Sequence, residues 1–179
     1  MDRKQFIVAT GAGVGFALFP GLVQCQSDSL KAYEKITSKI VKDTEGEILN
    51  VIGDIQTHKL IGSDTGNQIV EWVDNVAPGV GIPPHVHSKE DEIFRVIKGK
   101  VEIMVAGKST VLDPGDIAFA PKEIPHGWKV VGTEKAKMIT TAFPAGIEYM
   151  FEKLAQLPAG PPDFEKVTSI CAEHGVHFV

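Results

Sequence analysis

Between residues 47 and 143 the chain is divided into short runs rich in β-branched residues, and this division constrains the fold more than any other feature. Turn-forming residues at 53–54, 98–99 and 113–116 separate some of these runs. In the run 100–105 every second residue is apolar, which is the period of a strand with one buried face. The pattern predicts an all-β sandwich or barrel, and it lacks the alternation of strands and long helices that is typical of a parallel sheet.

The chain of 179 residues is long enough for one domain with a hydrophobic core and too short for two full ones. Residues 1–25 begin with Arg3 and Lys4 and continue as an apolar run, which predicts an export signal and a location in the periplasm or cell envelope. A retained membrane anchor or a buried strand is the alternative interpretation. Pro20 and the four glycines of this segment disfavour a stable membrane-spanning helix.

Two short patterns within the predicted signal concern the export route. The pair Arg3-Lys4 resembles a twin-arginine motif with lysine as its second residue, and Cys25 follows a segment that resembles a lipoprotein box with Gln24 in place of a small residue. Cys25 would then carry a lipid anchor, and otherwise cleavage nearby would remove it. In both cases we expect no disulfide between Cys25 and Cys171.

The remaining chain is predicted to contain three segments. Residues 26–45 are polar and carry apolar residues at helical spacing, so they are a linker or a short helix. Residues 46–145 are the β barrel. Residues 146–179 show helical periodicity on both sides of a proline-containing break, which predicts a C-terminal helical extension in which Asp163 is the N-cap of the second helix.

Charge excludes one class of partner and leaves others open. The chain has a formal net charge of −5 and no basic stripe, which argues against nucleic acid as a partner. A small-molecule substrate is the partner that we expect from the cluster of chemically active side chains described next.

Three residues at strand spacing predict a metal site. His85 and His87 are two residues apart, so on a strand both side chains point to one face. Glu92 belongs to the next run, where the other residues on its face are apolar, and a carboxylate in an apolar interior must be paired, protonated or bound to a cation. Glu90 and Asp91 are competing candidates, but Glu90 falls within a turn and Asp91 shares a face with charged Arg95, so Glu92 is preferred.

His126 comes from a distant run after a rigid, proline-flanked segment and supplies the fourth predicted ligand. Three imidazoles and one carboxylate suit a single divalent transition metal (Fe, Mn, Ni, Co, Cu or Zn) without selecting among them. A chance meeting of surface or core histidines is the alternative. The three remaining histidines lack this spacing and are predicted to be solvated; they are His58, His174 and His177.

Two segments resemble the two sequence motifs of the cupins, and they are Gly79-x5-His85-x-His87-x4-Glu92-x6-Gly99 and Gly115-x5-Pro121-x4-His126. The second departs from the family pattern at Glu123, where glycine is usual, and at Val130, where asparagine is usual. The resemblance extends over residues 46–179 to single-domain cupins similar to quercetin dioxygenase. It implies a small jelly-roll barrel, often a homodimer, whose metal is held by the four residues predicted above.

Three functions are compatible with this resemblance. The leading hypothesis is an exported metal-dependent dioxygenase for a small aromatic or enol-type substrate, in which Glu92 is both a metal ligand and the catalytic proton acceptor. The alternatives are a non-redox isomerase or lyase and a non-catalytic module that binds a small molecule or a sugar. Phe94, Met104 and Trp128 could line the pocket, although filling of the barrel interior is the favoured explanation for such residues.

Overall fold

The computed structural model describes residues 36–179. The predicted export signal and Cys25 lie outside the described residues. Of the predicted linker, residues 36–45 contain a turn at 43–44 and no helix. In the part of the chain that the structure describes, no helix is long and apolar enough to cross a membrane.

Eleven strands and three helices make up the described chain. The strands are β1 (Glu47–Val51), β2 (Asp54–Leu60), β3 (Val70–Val76), β4 (Gly81–His87), β5 (Asp91–Lys98), β6 (Lys100–Val105), β7 (Lys108–Leu112), β8 (Ile117–Ala120), β9 (His126–Val131), β10 (Ala136–Phe143) and β11 (Val176–Phe178). The helices are α1 (Gly62–Thr65), α2 (Glu148–Ala155) and α3 (Phe164–Glu173).

The strands form two antiparallel sheets. One has six strands in the order β1-β2-β3-β10-β5-β8, and the other has five in the order β11-β4-β9-β6-β7. One buried apolar cluster draws on strands of both sheets, and a second joins the six-stranded sheet to α2, α3 and β11. The architecture is a small jelly-roll β barrel with C-terminal helices, so the predicted fold class is confirmed.

Helices α2 and α3 are amphipathic and turn their apolar sides toward the barrel. Met150, Phe151 and Leu154 of α2 are buried together with Val167 of α3. Asp163 accepts a hydrogen bond from the backbone N–H of Lys166, as expected for an N-cap.

Two elements differ from the sequence-based expectation. The short helix α1 lies within residues 46–145, for which only a β barrel was predicted. The extension 146–179 is not wholly helical, because β11 pairs with β4 and places Val176 opposite His87. Only three residues long and following a glycine turn, β11 offers too little alternation to be distinguished from a loop.

Candidate metal centre

The four predicted ligands converge in the structure. His85 and His87 lie at the end of β4, Glu92 on β5 and His126 at the start of β9. One donor atom from each residue lies within 4.8 Å of the others, and all four residues are buried. His85 and His126 are direct partners across two paired strands, whereas Glu92 approaches from the opposite sheet. The cluster therefore joins the two sheets.

Backbone carbonyl groups orient two of the imidazole rings. His85 Nδ1 lies 2.9 Å from the carbonyl oxygen of Pro83, and His126 Nδ1 lies 2.9 Å from that of Ile124. A ring that donates from Nδ1 in this way has its Nε2 lone pair free as a ligand. In both cases the acceptor lies two residues earlier in the chain, so the local backbone fixes the ring.

His87 faces a carboxylate instead of a carbonyl group. Its Nδ1 lies 3.5 Å from Oε2 of Glu90, at the outer limit of a hydrogen bond, and both residues are almost fully buried. Glu90 falls within the turn, as the sequence suggested, but it is directed inward toward His87. From the sequence, Glu90 is only a rival to Glu92 as a ligand, because no periodicity in a turn reveals its position beside His87.

Glu92 supplies the negative charge of the cluster. Its Oε2 lies 3.0 Å from His126 Nε2 and 3.8 Å from His87 Nε2. Burial alone would raise the pKa of Glu92, but the neighbouring His87 and His126 hold that pKa below its ordinary value. The carboxylate is therefore ionised at neutral pH.

The pKa values of two histidines are shifted in opposite directions. Burial lowers the pKa of His85 to about 4, so this ring is neutral and able to bind a cation. Burial also acts to lower the pKa of His87, but the charges of Glu92 and Glu90 outweigh it and leave that pKa raised. Proton and metal therefore compete at His87 near neutral pH.

The donor set fits a divalent transition metal. His126 Nε2 lies only 3.0 Å from Glu92 Oε2, so either a proton is held between these two atoms or a metal cation takes its place. The residues that would hold the metal are His85, His87, Glu92 and His126, and nitrogen and carboxylate ligands of this kind leave its identity open.

The cluster opens into a cavity of approximately 530 Å³ beneath α2 and α3. Its wall is mainly apolar and contains Phe94 and Trp128, as the sequence suggested. Met104 does not line this cavity; it lies in a separate groove, where its sulfur accepts a hydrogen bond from Gly107 N–H. The alternation along β6 agrees with this position, because Val101 and Ile103 are buried on one face and Met104 belongs to the other.

Several polar residues of the interior were missed by the sequence analysis. His58 was predicted to be solvated and is instead buried, with its ring stacked on Trp72 and edge-on to Phe151. It shares the inner face of β2 with Asp54 and Gln56, and such a row of polar residues is normally typical of an outer face. His177 is exposed as expected, and His174 is half-buried.

Fold and site together define a cupin-type barrel with a cluster of three histidines and one glutamate. A family model described as "Cupin domain" matches residues 72–142. An uncharacterised protein from Aquifex aeolicus is 30% identical over 95 residues, which cover 53% of this chain and 71% of the relative. The chain belongs to the cupin superfamily.

Two proteins named KdgF are also similar to the chain. The pectin degradation protein KdgF of Dickeya dadantii is 29% identical over 90 residues, covering 46% of this chain and 80% of the relative. The solved structure of KdgF from Halomonas sp. superimposes with a TM-score of 0.57 and 21% identity, covering 63% of this chain and 99% of that one. The structural match supports the fold.

Proposed function

We propose that the protein is a metal-dependent dioxygenase that acts on a small aromatic or enol-type substrate. The observation that carries the proposal is the wall of the cavity next to the His/Glu cluster. Aromatic and aliphatic side chains dominate it, and among the described residues that line it there is no lysine or arginine. Such a pocket favours an apolar ring over an anionic substrate.

The side chains of the site divide the chemistry among them. A bound divalent metal supplies Lewis-acid activation of a substrate oxygen and, when redox-active, electrons for dioxygen chemistry. Glu92 accepts a proton at Oε2, a role suited to a carboxylate in a desolvated pocket. Phe94 and Trp128 exclude water from the substrate face, and the Pro83 and Ile124 carbonyl groups keep His85 and His126 in one orientation.

Oxygen consumption tests this proposal. Protein loaded separately with Fe, Mn, Ni or Co is incubated with flavonols and catechols at an oxygen electrode, and at least one form is expected to consume oxygen. Glu92→Gln should lower the rate by about 100-fold or more because the proton acceptor is lost. The matched variant Glu152→Gln, on the exposed side of α2, should retain the rate. Absence of oxygen uptake across the panel would overturn the dioxygenase assignment.

A non-redox isomerase or lyase is the second candidate, and the similarity to the pectin degradation protein KdgF favours it. Activity that persists under strict anaerobiosis with Zn-loaded protein would select this candidate. Sugar acids are the substrates to test, and the absence of a cationic side chain in the described cavity wall predicts weak binding of their carboxylate.

We also propose that the protein is exported to the periplasm or cell envelope, with a lipid on Cys25. Fractionation of the native host should place it outside the cytoplasm, and labelled fatty acid should be incorporated by the natural chain and not by Cys25→Ser. A natural chain that incorporates no labelled fatty acid would contradict the lipid anchor. Recovery of the protein in the cytoplasmic fraction would contradict export.

A homodimer is the assembly that we propose from the family resemblance. Ile117 and Phe119 on β8, the edge strand of the six-stranded sheet, are each about half exposed and offer an apolar surface for a second copy. Light scattering after size exclusion should give a dimer mass that falls to a monomer mass in Ile117→Lys. A monomeric natural chain would contradict the proposal.

A further inference from the structure

A pair of buried aspartates lies in the wall of the same cavity. Asp54 and Asp74 are 2% and 1% exposed. β10 lies between β3, which carries Asp74, and β5, which carries Glu92. Asp74 aligns with Met138 of β10, and Glu92 aligns with Ala142, four residues further along β10. The offset puts the Cα atoms of Asp74 and Glu92 roughly 16 Å apart. The acid pair and the metal cluster therefore mark different ends of one cavity.

Asp74 is fully engaged with protein groups. Its Oδ1 accepts a hydrogen bond from Trp72 Nε1 at 2.8 Å, and its Oδ2 accepts one from Thr140 Oγ1 at 2.6 Å. Burial raises the pKa of Asp74 well above its ordinary value, and the charge of Asp54 raises it further. Both oxygens of Asp74 are therefore already hydrogen-bonded within the protein.

Asp54 has one oxygen satisfied and one free. Its Oδ2 accepts a hydrogen bond from Gln56 Nε2 at 2.9 Å, and Gln56 Oε1 lies 3.1 Å from His58 Nε2, which holds the amide in this orientation. Asp54 Oδ1 is buried, and no hydrogen-bond partner for it exists among the described residues. A buried carboxylate oxygen without a donor is unfavourable, so this atom is suited to accept a hydrogen bond from a bound molecule.

We propose that Asp54 Oδ1 accepts a hydrogen bond from a hydroxyl group at the far end of the substrate, so that Asp54 and Asp74 form a distal subsite that selects elongated hydroxylated aromatic compounds. The inference rests on the proposed function and specifies its substrate class. A carboxylate is disfavoured at this position because it has no proton to donate to Asp54 Oδ1. Trp72 and Phe94, which lie between the two ends, provide the apolar surface for the rings.

Equilibrium binding to Zn-loaded protein under nitrogen tests the proposal without requiring turnover. The probes are 4,4′-dihydroxybiphenyl, 4-hydroxybiphenyl and 4-hydroxy-4′-methoxybiphenyl, which share one end and differ at the other. The natural protein should bind the dihydroxy compound about tenfold more tightly than either of the others, because only it donates to Asp54. Titration calorimetry gives the three dissociation constants.

Asp54→Asn should change the order of the three affinities, which a purely structural role of Asp54 would leave unchanged. The amide oxygen continues to accept from Gln56, so Nδ2 faces the cavity and donates instead of accepting. The preference should therefore reverse, with the methoxy compound binding more tightly than 4-hydroxybiphenyl and the dihydroxy advantage falling below twofold. Asp113→Asn, which changes an exposed aspartate paired with Lys100, is the matched control and should keep the natural order.

Each outcome separates this inference from the proposed function. Equal affinities for the three probes, or no binding of any, would overturn the distal subsite even in a protein that consumes oxygen. A tenfold hydroxyl preference in a protein that consumes none would support the subsite and overturn only the dioxygenase assignment. If Asp54→Asn fails to fold by circular dichroism, the ligand series on the natural protein decides the question.

Discussion

Glu90 acts on a predicted ligand without belonging to the ligand set. Its carboxylate faces Nδ1 of His87, and its charge contributes to the raised pKa of that ring. A carboxylate behind a metal-binding imidazole fixes the tautomer and makes Nε2 a better electron donor. The strength of the metal site therefore depends on a residue that the ligand pattern does not include.

Glu90→Gln should weaken metal binding by about tenfold or more, because the neutral amide removes the charge that supports His87. Competition with a chromophoric chelator measures the affinity. Glu134→Gln, at an exposed turn, is the matched control and should bind metal as the natural protein does. Equal affinities for both variants would show that Glu90 plays no part in the site.

Glu123 stands where the second cupin motif usually has glycine, and its backbone conformation explains that preference. Its φ of +64° lies in the left-handed region, while its backbone N–H donates to the carbonyl of His87 and ties the loop to β4. Glu123→Gly should raise the free energy of unfolding by about 0.5–1 kcal/mol, since relief of the backbone strain exceeds the entropy cost of glycine. Urea denaturation tests this, and Glu134→Gly should not stabilise the protein.

The buried His58 predicts an acid sensitivity. Burial lowers its pKa, with opposing contributions from Glu47 and Glu148. As the pH falls through about 6.5, the unfolded chain takes up a proton at this ring and the folded chain does not, so stability is lost in that direction. His58→Phe should reduce the loss between pH 7 and pH 5 by on the order of 1 kcal/mol. Urea denaturation at both pH values measures it, and an unchanged loss would contradict it.

The matched control for this pH series is His177→Phe, which replaces an exposed ring of β11 and should leave the pH dependence as it is. The comparison concerns the slope alone, because His58→Phe also removes the partner of Gln56 Oε1 and lowers stability at every pH.

Sequence periodicity predicted the metal residues because the alternation of a strand determines which side chains share a face. His85 and His87 share a face whatever their partners are, and Glu92 stood out as an acid among apolar neighbours. His58 could not be predicted in this way, since its burial depends on Trp72 across the β2–β3 pairing and on Phe151 of α2, about 90 residues further along the chain.

At the scale of elements, β11 supports the strand that carries two predicted ligands. Val176 is 3% exposed and aligns with His87. Val176→Ala should lower the free energy of unfolding by about 2 kcal/mol through loss of buried apolar contacts, and it should also weaken metal binding. Val111→Ala, on an exposed position of β7, should change stability by less than about 0.5 kcal/mol. Equal effects of the two variants would contradict the role of β11.

The sequence predicted the antiparallel barrel and the two C-terminal helices, but not the contribution of the chain end to the sheet. Helices α2 and α3 are long enough to show the helical spacing of apolar residues, and Asp163 is an N-cap residue that predicts the start of α3. The pairing of β11 with β4 depends on a contact between segments about 90 residues apart, and no local pattern of three residues encodes it.

At the scale of the whole molecule, metal binding and folding stability are linked. A metal at 100 times its dissociation constant should raise the free energy of unfolding by about 2.7 kcal/mol, provided that the unfolded chain does not bind it. Urea denaturation with and without Zn²⁺ measures the difference. His126→Ala should abolish the increase, while His177→Ala should retain it. If Zn²⁺ leaves the free energy of unfolding of the natural protein unchanged, the metal centre is contradicted.

Because Glu92 belongs to one sheet and the three histidines to the other, a cation held by all four would cross-link the two halves of the barrel. Escape of such an ion into the cavity requires ligands from both sheets to release it, so its rate should be lower than that of an ion held by one sheet alone. The kinetic consequence of ligands from both sheets is slow loss of the metal, over times much longer than the exchange of a single ligand.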